Sequence, residues 1–223
     1  MKITAFNGSP RGEKSNSHML TENFLSGARE AGADTENIIL IHENIEYCRG
    51  CFSCWFKTPG HCILKDGMDD LIEKYLSSDV ICFVTPVYTW NMTAVLKNFV
   101  DRLIPLRCPA AIETNGKFDM KSRLVKLPDS VVIANSGFPG INNFGTIREV
   151  FTSCNPILEI YRNSGHLLKS DDAAVKARTQ EYLDCVRQAG FELVRDGAVS
   201  AETKEMLKME LAGPDDYIKM MEL

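Results

Sequence analysis

The chain has 223 residues, enough for one large α/β domain with a substantial core, or for a domain with an extension. Its composition, 44% hydrophobic and 25% charged, is that of an ordinary globular protein. A formal charge of −5 excludes a basic domain, so neither nucleic acid nor an anionic membrane surface is an expected partner. Met1-Lys2-Ile3-Thr4-Ala5-Phe6 is too short for a signal peptide before Asn7-Gly8-Ser9-Pro10 breaks it, and the apolar run Val80 to Val84 is strand-length. The expected location is the cytoplasm, where thiols stay reduced.

Lys2 to Phe6 reads as a strand running into a Gly-Ser-Pro-Arg-Gly loop. The spacing of Met19, Leu20, Phe24, Leu25 and Ala28 predicts a helix from about Asn16 to Ala31, stopped by Gly32. A second strand, Asn37 to Ile41, leads into a cysteine-bearing loop at 42–67, and a helix from Met68 to Ser77-Ser78 follows. Asp79 to Val84 is apolar from Val80 onward, as a strand covered on both faces must be. After the loop Thr85 to Asn91 comes a helix, Thr93 to Leu103, with Val95, Leu96, Phe99, Val100 and Leu103 on one face.

Residues 105–128, broken by Pro105, Pro109, Asn115-Gly116 and Pro128, read as irregular. A fourth strand, Ser130 to Ala134, enters the loop Asn135 to Gly140. A helix near Phe144 to Cys154 and a fifth strand, Ile157 to Tyr161, come next. The long helix Asp171 to Asp196 has Ser170 as its expected N-cap and Gly197 as its stop. A shorter helix, Glu202 to Leu211, precedes a tail with Pro214. The chain thus divides into a domain over 1–197 and a helical extension over 198–223.

Strands alternating with helices predict an open parallel sheet with helices on both faces. Five strands with one phosphate-type loop after the first favour the flavodoxin-like order 2-1-3-4-5. In that order the loops after strands one, three and four open together at the carboxyl edge, and those are the loops richest in glycine, proline, serine and asparagine.

The first of them, Asn7 to Ser17, offers the hydroxyls of Ser9, Ser15 and Ser17, the Asn16 amide and the N–H groups of a helix start: a phosphate cradle. It is not a triphosphate loop. Lys14-Ser15 fits that pattern, but Glu13 puts an anion where the phosphates would lie, and no carboxylate ends strand three to hold magnesium. Nor is there a G-x-G-x-x-G for a dinucleotide. Little fixed charge and many hydroxyls suit a monophosphate.

Asn7-Gly8-Ser9-Pro10-Arg11 followed by Ser15-Asn16-Ser17, Pro86-Val87-Tyr88 after strand three, Leu96-Lys97-Asn98-Phe99-Val100-Asp101-Arg102, and Gly137-Phe138-Pro139 together resemble the NAD(P)H-dependent FMN reductases. The cysteine loop followed by Asp66-Gly67-Met68-Asp69 resembles one branch, the iron–sulfur flavoproteins. The resemblance covers roughly residues 1–165 and implies FMN, its phosphate on Ser9, Arg11, Ser15, Asn16 and Ser17. It sets the isoalloxazine against Pro86, Val87, Tyr88, Thr89, Trp90 and Asn91 on one side and Asn135, Ser136 and Gly137 on the other. Tyr88 and Trp90 offer aromatic walls for a flat π-system, though core packing is the usual fate of such residues.

Half of the eight cysteines fall on one loop: Cys48, Cys51, Cys54 and Cys62. Four thiolates suit a 4Fe-4S cluster. Zinc usually takes two separated knuckles, and the second is missing; a thioredoxin-type dithiol leaves two cysteines surplus. Four reduced, unligated cysteines are the remaining reading. His61 reads as solvent-facing, Cys82, Cys108, Cys154 and Cys185 as core or surface residues, and His18 and His166 as decorating element ends.

The expected protein is an FMN-dependent oxidoreductase with NAD(P)H as co-substrate. Hydride would pass to the flavin and on to a quinone, a nitro or azo compound, free flavin or a metal ion by a ping-pong scheme, with no protein acid–base residue. The resemblance also implies a homodimer, with 42–67 and 105–128 contributing to its interface. The rivals are an electron carrier that trades single electrons with a redox protein through the cluster, and a non-enzymatic redox or metal-sensing module.

Overall fold

The apolar run after Met1 forms β1 (Lys2–Asn7) in the computed structural model, which describes residues 1–114, 117–213, 217 and 218. It enters α1 (Asn16–Glu30) through a cap: Ser15 Oγ accepts the His18 N–H at 3.0 Å. β2 (Asp34–Ile39) begins three residues before the predicted Asn37. It is an edge strand, and its polar first half, Asp34 to Asn37, carries no apolar signal.

A four-residue helix, α2 (Ser53–Phe56), lies inside the cysteine loop, and α3 (Met68–Leu76) follows it. β3 (Val80–Pro86) is buried along its whole length. Thr93 caps α4 (Ala94–Asp101), its Oγ1 accepting the Leu96 N–H at 3.2 Å.

The segment 105–128 corrects the prediction. β4 (Arg107–Thr114) and β5 (Lys117–Ser122) pair antiparallel as a separate two-stranded hairpin. A register shift between Arg107 and Ala111 accommodates Pro109, which a regular ladder would exclude. Asn115-Gly116, read as a break, lies outside the described residues, as does Pro214.

The chain then makes β6 (Asp129–Asn135), α5 (Gly145–Phe151), β7 (Leu158–Arg162), α6 (Ala173–Asp196) and α7 (Ala201–Met206). α6 is capped by Asp172, not Ser170: its Oδ1 accepts the Ala174 and Val175 N–H groups, both at 3.0 Å. Gly197 ends α6 at φ +75°.

The parallel sheet runs β2-β1-β3-β6-β7, the predicted flavodoxin-like order once the hairpin is set aside. Alternate residues feed two cores. Ile3, Val84, Ile133 and Ile160 meet α1 and α6 on one face, and Phe6, Phe83 and Val132 meet α3, α4 and α5 on the other. Phe6 stacks on Phe99 at 4.4 Å, and burying each ring stabilises the fold by roughly 1.5–3 kcal/mol. α1 and α6 touch through Gly27 and Gly190, where an added Cβ would lie 1.8 and 1.9 Å from the facing carbonyl oxygens.

Val199, Leu207, Leu211 and Ala212 join the α1–α6 core. Arg162, 2% exposed, fastens that segment by donating to the Met209 carbonyl at 2.6 Å and lying 4.7 Å over the Tyr182 ring. No helix among the described residues is long and apolar enough to cross a membrane.

Candidate functional site

At the carboxyl edge of the sheet, loops from β1, β3, β6 and β7 surround a cavity of about 360 Å³. The β1 loop contributes Ser9, Arg11, Ser15, Asn16 and Ser17. Asn16 and Ser17 open α1, so their N–H groups have no earlier turn to bond. The three buried serines differ in what they can offer. Ser15 donates its hydroxyl to the Gly12 carbonyl at 2.7 Å and accepts the His18 N–H, so its proton is committed to the cap. Ser17 Oγ accepts from Asn135 Nδ2 at 2.6 Å, and Ser9 Oγ accepts the Arg11 N–H at 3.4 Å, which leaves both hydroxyl protons available. Asn16 Nδ2 donates to the Gly165 carbonyl at 2.5 Å, while its Oδ1 is buried and unpartnered.

The β3 loop contributes Pro86, Val87 and Tyr88. Val87 N–H donates to the Asn135 carbonyl at 2.7 Å, and the Thr93 hydroxyl reaches back to the Gly8 carbonyl at 2.6 Å, tying this loop to its neighbours. Beyond Tyr88 the chain reverses tightly: Tyr88 and Asn91 exchange backbone hydrogen bonds of 2.9 and 3.0 Å. The central pair, Thr89 and Trp90, has φ of +49° and +59°. That is type I′ geometry, normally given to Asn-Gly, and a β-branched residue there is strained. Thr89, Trp90 and Asn91 stand outside the cavity lining, and Trp90 is 61% exposed.

Asn135 and Gly137 line the cavity from the β6 loop. Ser136 does not; it is buried, its N–H bonded to the Arg162 carbonyl at 2.9 Å.

The fourth wall was not anticipated. Gly165, His166 and Lys169 line it from the turn after β7, so His166 is more than the end decoration it was read as. The polar, glycine-bearing break Asn163-Ser164-Gly165 after the last strand was the available signal. His166 Nδ1 lies 3.2 Å from the Gly137 carbonyl, which also accepts the Tyr217 hydroxyl at 3.0 Å. Among the described residues no carboxylate lines this cavity, and the charged side chains that do are Arg11 and Lys169.

Cys48, Cys51, Cys54 and Cys62 all line a second cavity, of about 190 Å³, walled also by Ile63, Leu64, Ile104 and Arg102. Cys48 and Cys51 are exposed, Cys54 is buried, and Cys62 lies between. Burial pushes the Cys54 thiol up, and its three neighbouring cysteines, Cys62 foremost, push it further. The Ser53 hydroxyl and backbone N–H pull Cys51 down. Among the described residues no three His, Cys, Asp or Glu side chains converge tightly enough for a single metal ion. His61 is exposed, outside the cavity lining.

The loop is fixed to α4 and its C-terminal turn. Asn98 Nδ2 donates to the Ile45 carbonyl at 2.9 Å, Trp55 Nε1 to the Ile104 carbonyl at 3.3 Å, and Arg102 to the Glu46 carbonyl at 2.6 Å. Arg102 Nε is buried without a partner, an orphaned donor on a residue that walls the cysteine cavity.

Residues 1–121 match the family described as NADPH-dependent FMN reductase. Among proteins of similar sequence, an iron-sulfur flavoprotein of Archaeoglobus fulgidus is 36% identical, covering 47% of this chain and 46% of that protein. One from Methanosarcina thermophila is 35% identical, covering 48% and 54%. The chain thus spans about half the length of the curated relatives it matches. Among solved structures, an FMN-dependent NADH-azoreductase from Bacillus anthracis, in complex with FMN, overlays with a TM-score of 0.63 at 17% identity, covering 86% of this chain and 99% of that one. The NAD(P)H:quinone oxidoreductase of Methanothermobacter marburgensis gives 0.61 at 19% identity, covering 86% and 96%. These overlays establish the flavodoxin-like fold. The sequence match runs unbroken from β1 through the cysteine loop into β5, and the chain belongs to the NADPH-dependent FMN reductase family.

Proposed function

We propose that this protein binds FMN in the cavity at the carboxyl edge and oxidises NAD(P)H, passing the electrons to a second acceptor. The observation that carries this reading is the convergence of Ser9, Ser17, Arg11 and the start of α1 with Tyr88, Asn135 and Gly137 around one cavity. FMN, when bound, supplies hydride acceptance and both one- and two-electron transfer. The chain's own residues bind and orient it. Ser9 and Ser17 donate hydroxyl protons to the phosphate, Ser15 keeps the α1 start in place, and Pro86, Val87 and Tyr88 wall the ring. The unpartnered Asn16 Oδ1 suits the ribityl hydroxyls, which can donate to it. Thr89 and Trp90 act from outside the lining by setting the turn that presents Tyr88.

The same reading gives Cys48, Cys51, Cys54 and Cys62 a 4Fe-4S cluster, which would supply one-electron transfer. Their shared cavity and the orphaned Arg102 Nε–H, a donor suited to a sulfur acceptor, support it. The iron-sulfur flavoprotein names of the sequence relatives favour an electron carrier as the second reading. A homodimer belongs to the proposal too; the exposed rings of Phe56 (71%) and Phe118 (76%), in the two segments expected at its interface, support it.

The test is anaerobic purification followed by absorption spectroscopy, flavin, iron and sulfide assays, and NAD(P)H oxidation with a quinone or a ferredoxin-like protein. Flavin with quinone-dependent turnover supports the oxidoreductase. Flavin with iron and turnover only through the protein acceptor favours the carrier. If no flavin copurifies or rebinds, the reading is wrong.

A further inference from the structure

We propose that Lys169 is the second cation of a phosphate-monoester clamp whose first is Arg11, and that it makes the cavity select FMN over unphosphorylated riboflavin. The proposal rests on the flavin reading given above and extends it to the turn after β7, where sequence reading found no ligand residue.

The turn is held on two sides. It begins at Ser164, in the left-handed region with φ of +47°. Gly165 N–H donates to the Ser136 carbonyl at 2.7 Å, and a Cβ on Gly165 would come within 3.2 Å of that oxygen and 3.3 Å of Asn135 Oδ1. The Gly165 carbonyl accepts Asn16 Nδ2 from the start of α1. The backbone that carries Lys169 is therefore bonded both to the β6 loop and to the phosphate-type loop.

Lys169 itself completes the closure. Its Nζ donates to the Lys14 carbonyl at 2.6 Å, one residue before the α1 cap. An ammonium has three N–H donors, and this bond uses one. Among the described residues neither Lys169 nor Arg11 forms an ion pair, and none of those lining the cavity they share is a carboxylate. In a chain of formal charge −5, two cations from distant segments, unpaired among the described residues, face one cavity beside two free serine hydroxyls and a helix start. Many convergent donors with two positive charges suit a phosphate dianion. The ring walls, Pro86, Val87 and Tyr88, lie on the β3 loop. Losing Lys169 should therefore weaken the hold on the phosphate and leave the hold on the ring.

The same chemistry has a second source, the 2′-phosphate of NADPH, and the experiment separates the two. Flavin-free full-length protein is titrated with FMN and with riboflavin by flavin fluorescence, for wild type, Lys169→Gln and Lys169→Arg. Michaelis constants for NADPH and NADH are then measured on FMN-loaded protein. Lys169 is exposed, and its replacement leaves the core intact. We expect wild type to prefer FMN strongly and Lys169→Gln to lose about five- to tenfold in FMN affinity, the size of one charge-assisted hydrogen bond in partial solvent. Riboflavin affinity should change less than about twofold, and Lys169→Arg should restore most of the loss.

Equal weakening of both flavins would make Lys169 only a structural strap between the turn and Lys14, and would overturn the proposal. An unchanged FMN affinity with a raised Michaelis constant for NADPH alone would assign the cation to the dinucleotide instead and overturn it too. Flavins that bind equally well to wild type and variant would remove the clamp while leaving the flavin reading intact. Failure of both FMN and riboflavin to bind wild type would sink the flavin reading, and the clamp with it.

Discussion

Asp66 and Arg102, 36 residues apart, meet as a two-pronged pair in which Nη1–Oδ2 is 2.6 Å and Nη2–Oδ1 is 3.0 Å, with both side chains 1% exposed. One residue closes the cysteine loop; the other ends α4. The Asp66 carboxylate also accepts the Glu46 N–H at 2.8 Å and the Met68 N–H at 3.1 Å, so it fastens both ends of the loop segment it closes. A buried pair of this kind is weak evidence of net stabilisation, because desolvation opposes the attraction. Breaking it is another matter. Asp66→Asn leaves Arg102 buried and uncompensated, and we expect a loss of about 3–5 kcal/mol in urea unfolding. A loss below about 1 kcal/mol would show that the pair is dispensable.

The same carboxylate makes an acid prediction. Burial resists its ionisation, but the Arg102 hydrogen bonds and the Glu46 and Met68 N–H groups outweigh that and hold Asp66 below the usual carboxylate value. A group depressed in the folded state contributes stability above its unfolded value, near pH 4, and that contribution is lost as pH falls through the folded value. Wild type should therefore lose stability as the pH is lowered below about 4. Asp66→Asn should show a shallower slope over the same range, read from unfolding midpoints at a series of pH values.

Ser15 and Ser17 line the same cavity but should fail differently when truncated. Ser17→Ala removes a hydroxyl whose proton is free, and FMN affinity should fall by roughly 10–100-fold, the value of a hydrogen bond to a charged group. The substitution also takes the acceptor from the buried Asn135 Nδ2, so stability should fall by about 1–3 kcal/mol. Ser15→Ala removes the α1 cap and should lower stability by about 1 kcal/mol. Its effect on flavin binding should be the smaller of the two. Fluorescence titration separates the variants by flavin affinity, and a reversed order would contradict the hydrogen-bond assignment.

What the sequence made legible follows from where each signal originates. β3 announced itself because a strand covered on both faces must be apolar, and its buried run Val80 to Val84 left no other reading. The loop order followed from the alternation of strands and helices. The β4–β5 hairpin was hidden because it lies apart from the main sheet, with Ile112 and Phe118 exposed and Pro109 at a break in the pairing, so neither burial nor alternation marked it. The 165–169 wall was hidden for a different reason: it is placed by the bonds of Lys169 to Lys14 and of Gly165 to Asn16, pairs 155 and 149 residues apart in the chain. The distinction between Ser15 and Ser17 depends on which proton is already committed, and no spacing encodes that.

The turn at Thr89-Trp90 should be a reservoir of strain. Non-glycine residues in sparsely populated backbone regions cost on the order of 1–3 kcal/mol each. Replacing the pair by Asn-Gly supplies residues that accept both positive φ values. The double variant should unfold at higher urea concentration than wild type. If the strain serves to hold Tyr88 against the ring, flavin should also dissociate faster from the relaxed turn. A variant no more stable than wild type would mean that packing of Trp90 repays the backbone cost.

Among the described residues the cysteine cavity and the flavin cavity share no lining residue, so their cofactors should be separable by mutation. Cys51 is exposed, and its thiol is pulled down by the Ser53 hydroxyl and N–H, so Cys51→Ser removes a ligand without leaving a cavity in a core. We expect the variant, purified anaerobically, to lose most of its iron and sulfide while keeping FMN at wild-type stoichiometry. Ser17→Ala should do the converse, retaining iron with weakened flavin. Parallel loss of both cofactors in Cys51→Ser would mean that the loop supports the flavin site structurally. The bond joining the two regions at the start of the loop, His42 Nε2 to Glu13 Oε2 at 3.3 Å, would then be the first contact to test. It is exposed and screened by solvent, so its removal alone should leave both cofactors in place.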